Sequence, residues 1–179
     1  MRAVALFLVF GLFLNVHGAS LDDLIKALNT TQPVWLVTSS YQDKEKGEDI
    51  SCVRWQKEIL TKTEYQYDSS YKHGSTYVDN RTVNAKLSSM GDEGVMTVLN
   101  DAPGGSTLYT LKLWDPEGEC FVLTHSKMPQ ERSEPSPKVQ CEVHVWHNHA
   151  RQNISHSCDV EYKKHCQEQH HLFLEHECM

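Results

Sequence analysis

Thr107-Leu108-Tyr109-Thr110-Leu111-Lys112-Leu113 alternates apolar and polar side chains, breaks at the turn-forming stretch Asp115–Gly118, and is followed by a second run, Cys120–His125. Period-two alternation marks a strand with one buried face, and Gly, Pro, Asp and charge between runs are what turns demand. The same pattern extends in both directions. Further runs cover Val34–Tyr41, Ser51–Leu60, Glu64–Tyr71, Ser75–Leu87, Gly94–Asn100 and Lys138–His147. Their separators are Asp43–Asp49, His73-Gly74, Met90–Glu93, Ala102–Gly105 and Pro129–Pro137. Eight strands in series with no helix between them predict an all-β antiparallel barrel or sandwich. A closed eight-stranded barrel removes the sheet edges and has room for one small ligand.

Helices flank this series. Ser20 is a good N-cap, acids fill the first turn, and Leu21, Leu24, Ile25 and Leu28 share a face, so Ser20–Asn29 reads as a short amphipathic helix that Pro33 ends. Cys158–Gln169 reads as a second helix, with Cys158, Tyr162 and Cys166 toward the protein, and Cys178 ties the tail Leu172–Met179 to the body.

Ahead of the first helix, Arg2 and an apolar run from Ala3 to Leu14 lead to Val16 and Gly18. A basic start, a short apolar stretch and small residues at the exit predict a signal peptide over 1–18, cleaved near Ala19. The run is too short for a membrane anchor, which needs roughly 20 residues. The remaining 19–179 is the size of one domain, expected outside the cell and away from the membrane. An even six cysteines in an exported chain predict three disulfides, with the pairing left open by parity alone. The sequons at Asn29, Asn80 and Asn153 are expected glycosylation sites. With 17 basic against 24 acidic residues, nucleic acid is excluded as a partner, because that affinity comes from Lys and Arg meeting phosphates.

Signatures of catalysis are missing: the chain has no G-x-S-x-G elbow, no phosphate-cradling glycine loop and no H-E-x-x-H pair, so it reads as a binding protein without cofactor. Eight of the eleven histidines lie from His144 onward. His147 and His149 would share one face of a strand, but no ligand spacing sharpens them into a metal site, and a polar, histidine-rich tail is the plainer reading. Aromatic residues fall in nearly every predicted strand. Tyr and Trp turned inward beside carboxylates suit an amine, through cation–π contact and ion pairing.

Four features together resemble the tick salivary lipocalins of the histamine-binding protein family, across essentially the whole mature chain. They are a short helix before the Trp-bearing strand Pro33–Tyr41, a strand opening Ser51-Cys52-Val53, a late strand opening Glu119-Cys120-Phe121, and Cys141–Trp146 followed by Cys158–Cys166 and Cys178. The resemblance implies an eight-stranded lipocalin barrel with a helix at each end. It implies bridges Cys52–Cys178 and Cys120–Cys158, which leaves Cys141 and Cys166 for a third. It also implies a monomer that sequesters a small host mediator, a biogenic amine such as histamine or serotonin. Glu142 matches the acid of the family's amine signature, and Tyr41 and Asp43 correspond to its upper-pocket pair. Phe121 stands where the signature has Asp, so one amine site is expected rather than two, with Trp35 or Trp114 helping to line it. Other members bind lipid mediators or sterols (leukotriene, cholesterol) or act as immunomodulators on a host protein. The Met128–Pro137 loop is the contact surface for that last reading.

Overall fold

The computed structural model describes residues 19–99, 105–127 and 138–179, apart from the side chains of Asn80 and Lys127. The predicted signal peptide and the Met128–Pro137 loop lie outside them. The chain enters through helix α1 (Leu21–Leu28), closed by a capping box in which the Ser20 hydroxyl accepts from the Asp23 amide and the Asp23 carboxylate accepts from the Ser20 amide. The buried face of α1, Leu24, Ala27 and Leu28, packs with Val34, Met96 and Leu111 from the strands, so the helix plugs one end of the sheet.

Ten strands follow: β1 (Val34–Ser39), β2 (Lys44–Glu45), β3 (Glu48–Leu60), β4 (Glu64–His73), β5 (Thr76–Met90), β6 (Glu93–Leu99), β7 (Ser106–Asp115), β8 (Cys120–Lys127), β9 (Gln140–Trp146) and β10 (His170–His171). Consecutive strands from β3 to β9 pair antiparallel, β9 pairs with β1, and β1 closes the ring on β3 through Val34–Trp55 and Trp35–Arg54. Eight strands therefore form a closed antiparallel barrel, with β2 and β10 as two-residue additions. Each predicted run is a strand, with ends shifted by a few residues.

Along β8 and β9 the period of two divides two cores. Phe121 and Leu123 join the cluster inside the barrel, whereas Cys120, Val122, Cys141, Val143 and Val145 join a second cluster outside it. The second cluster is covered by helix α2 (His156–His165), the terminal turn α3 (Glu175–Cys178) and the three disulfides, Cys52–Cys178, Cys120–Cys158 and Cys141–Cys166. These are the pairings that the resemblance implies. A strand covered on both sides loses its polar face, and all six residues of β1 are buried.

Two local readings are corrected. Helix α2 starts at His156, where the Ser155 hydroxyl caps it, and ends before Cys166, whose extended backbone carries the chain out of the helix at its bridge to Cys141. The chain beyond it adds β10 to β1, and Leu172 accepts from the Cys52 amide, which sits at a bulge with φ of 52°. His147 and His149 form a 3-10 turn rather than the end of a strand. His147 Nδ1 accepts from the Trp35 indole and His149 Nδ1 lies 2.7 Å from Glu119, so the pair does not converge on a common point.

Candidate ligand-binding site

The inward parity of β8 and β9 decides the chemistry of the barrel interior. On β9 it turns Glu142 and His144 inward, and on β8 it does the same for Phe121, Leu123 and His125; the register sets His144 opposite Phe121 and Glu142 opposite Leu123. Glu142 is 2% exposed. Its Oε2 lies 2.7 Å from His144 Nε2, its Oε1 accepts from the Tyr41 hydroxyl, and His125 Nε2 stands 3.2 Å from Oε1. Burial pushes the Glu142 carboxyl up, but the contacts of His125 and His144 outweigh it and hold the group well below the usual carboxylate range. The acid is therefore ionised. Burial first, and the Glu142 charge second, push the Tyr41 hydroxyl far above its ordinary value, so it acts as a donor.

Aromatic rings surround this charge. The His144 imidazole stacks on Phe121 (centroids 5.0 Å, planes 10° apart) and lies 4.2 Å from Trp55. Trp55 packs on Tyr67 at 4.8 Å and edge-on to Tyr109 at 6.4 Å, while His125 packs on Tyr109 at 4.8 Å and against Tyr41 at 5.3 Å. A cavity of about 320 Å³ is bounded by Glu142, Tyr41, Trp55, Tyr67, Tyr109 and Asp43. It runs from the exposed Asp43 and Arg81 to the buried carboxylate.

The sequence-predicted residues divide accordingly. Glu142, Tyr41 and Asp43 line one cavity. Phe121 is fully buried, stacks on His144 and is not among the residues that line the cavity. Trp114 packs at a tilt on Trp146 at 5.1 Å, and Trp146 donates to the Ala27 carbonyl of α1, so Trp114 belongs to the plugged end. Trp35 is a correction: it lies on the outer face of β1, against Phe173 and His147, because its parity is opposite to that of Val34 and Leu36. His144, read from the sequence as part of a polar histidine-rich tail, is fully buried, and it shares the inward parity of Glu142 as His125 shares that of Phe121; neither His125 nor Trp55, Tyr67 and Tyr109 was singled out as lining. Alternation along the quoted runs carried that signal.

A larger hollow, about 520 Å³, lies outside the barrel between α2 and the C-terminal segment, lined by Val37, Val145, Ile154, His156, Asp159 and Phe173 among others. Unlike the interior cavity, it presents no buried carboxylate. Among the described residues, one trio of ligand atoms has metal-like spacing, Asp115, Cys120 and Cys158, and both sulfurs are already joined to each other.

A family model described as tick histamine binding protein matches residues 17–178. The chain belongs to that family. Among solved structures it is similar to Japanin from Rhipicephalus appendiculatus bound to cholesterol, with a TM-score of 0.53 and 12% identity over 82% of this chain and 95% of that one. That likeness shows the fold, a lipocalin-like barrel. No curated protein sequence matches the chain. As a member of the tick histamine-binding family, the chain is a small-ligand-binding barrel, and no helix among its described residues is long and apolar enough to cross a membrane.

Proposed function

We propose that the protein is a secreted, monomeric scavenger that takes one biogenic amine, histamine or serotonin, into the barrel. One observation carries this reading: a buried carboxylate, Glu142, faces a cavity walled by Trp55, Tyr67, Tyr109 and Tyr41. An ammonium group that leaves water needs a charged acceptor, and such a hydrogen bond contributes about 1.5–3 kcal/mol. Electron-rich ring faces add cation–π attraction, which strengthens when water is excluded. At the entrance Asp43 is accompanied by Arg81, so the charge that would select a cation is that of Glu142. The cavity, about 320 Å³, falls within the roughly 300–1,000 Å³ typical of ligand pockets. Export through the signal peptide supplies the setting, with the exposed Asn29 and Asn153 as glycan acceptors.

A lipid mediator or sterol is the second reading. It is favoured by Phe121, an apolar ring in place of a second acid, and by the cholesterol bound to Japanin. Titration calorimetry with histamine, serotonin, a leukotriene and cholesterol, on the parent and on Glu142→Gln, separates the two. The amine reading expects binding of about one equivalent that weakens roughly 10- to 100-fold in Glu142→Gln. Tight lipid binding with no amine signal refutes it.

A further inference from the structure

Among the described residues two imidazoles share a single buried carboxylate, and the amine chemistry proposed above does not require either of them. His144 is fully buried and His125 is 6% exposed. Among the described residues, the Nδ1 atoms of both and Nε2 of His125 have no hydrogen-bond partner. A buried imidazole with unpaired nitrogens is costly, so such groups are normally satisfied. Here two stand side by side against a carboxylate, and each can add one positive charge within hydrogen-bonding reach of Glu142.

We propose that His125 and His144 make ligand binding proton-linked: a proton on this imidazole pair and the ligand's ammonium compete for the single charge of Glu142, so the barrel releases its cation on acidification. This rests on the reading that a cation binds at Glu142. With both imidazoles neutral, the cluster carries one buried negative charge, which an incoming ammonium neutralises. Once either imidazole is protonated the cluster is already neutral. A further cation would then leave a net positive charge out of water, and burying an uncompensated charge is strongly unfavourable. Cation binding must then expel a proton from the pair.

The surroundings leave these two groups as the switch. Tyr41 and Tyr109 flank His125, and Tyr67 lies across the cavity; burial first, with neighbouring charge, pushes all three hydroxyls up, so they stay protonated. Phe121 and Trp55, against His144, do not titrate. Arg81 remains charged throughout. Asp43 is the other acid on the cavity and needs a control of its own. Between about pH 5.5 and about pH 8, imidazole is the side chain whose unperturbed charge changes.

Serotonin is the probe, since its ammonium keeps its charge over that range, whereas histamine's own ring titrates there. Calorimetry from about pH 5.5 to about pH 8 should show affinity falling towards tenfold per pH unit on the acid side. Repeating the titration in two buffers of different ionisation enthalpy should report release of up to one proton per ligand. The double variant His125→Gln/His144→Gln should flatten the profile, and Asp43→Asn should keep it. Serotonin binding with a flat profile and no proton release in the parent overturns the proposal and leaves the amine site standing. So does a slope that survives in the double histidine variant or vanishes in Asp43→Asn. Should the variants fail to fold, the two-buffer measurement on the parent decides by itself. No amine binding at any pH refutes the amine site, and the proposal with it.

Discussion

A methyl group on Gly94, on β6, would stand 2.6 Å from the Ser20 carbonyl oxygen and 2.9 Å from Leu21 Cα. Both are backbone atoms at the start of α1 and cannot rotate away, so in Gly94→Ala the helix itself must shift. The Gly94 amide also donates to the Ala19 carbonyl at 2.9 Å, a bond that the shift stretches. Overpacking costs about 1–3 kcal/mol and a weakened hydrogen bond about 1 kcal/mol. The smaller freedom of alanine in the unfolded chain returns about 0.4–1 kcal/mol. A net loss of about 1–3 kcal/mol follows, and at about 2–4 °C per kcal/mol for a domain of this size the melting temperature should fall by about 2–12 °C. Thermal unfolding followed by circular dichroism reads the shift. Hydrogen exchange should show lost protection at Leu24 and Leu28, whose side chains are fully buried under the barrel end. A melting temperature within about 1 °C of the parent, with unchanged protection, would mean that α1 is not seated on β6, and the account of the plugged end would be wrong.

Removing the Cys52–Cys178 bridge by paired serine substitution opens a link across 126 positions, and loop-closure entropy sets the loss at up to about 5 kcal/mol, measurable as a lowered urea midpoint. Trp35→Phe removes the indole donor to His147, so stability should fall by about 1 kcal/mol while calorimetry finds ligand affinity unchanged, because the ring lies outside the barrel. A Glu142 carboxyl held below its unfolded value contributes stability that is present above that value and lost as pH falls through the folded one. The parent should therefore lose more of its urea resistance below about pH 4 than Glu142→Gln does, and equal losses would contradict the buried ionised acid.

Local sequence determined the eight strands, the helix Leu21–Leu28 and the half-cystine chemistry, because period-two alternation, turn residues and an N-cap are properties of neighbours along the chain. Glu142 was legible as an acid on a strand, and its parity partner His144 stands two residues away in the same run. The direction that each parity faces was decided only by the closed barrel. Trp35 reads as an inward ring, yet β1 is buried on both sides, so its composition cannot say which face is the cavity. His125 and Tyr41 reach Glu142 from 17 and 101 positions away in the chain, and their meeting depends on cross-strand register and on how the chain turns after β1. Strand β10 was invisible for a similar reason. Two histidines carry no strand signal of their own, and they pair with β1 because the chain between α2 and the Cys178 bridge runs along that strand. A single charge and its neighbours thus become a site through long-range closure, which no local pattern encodes.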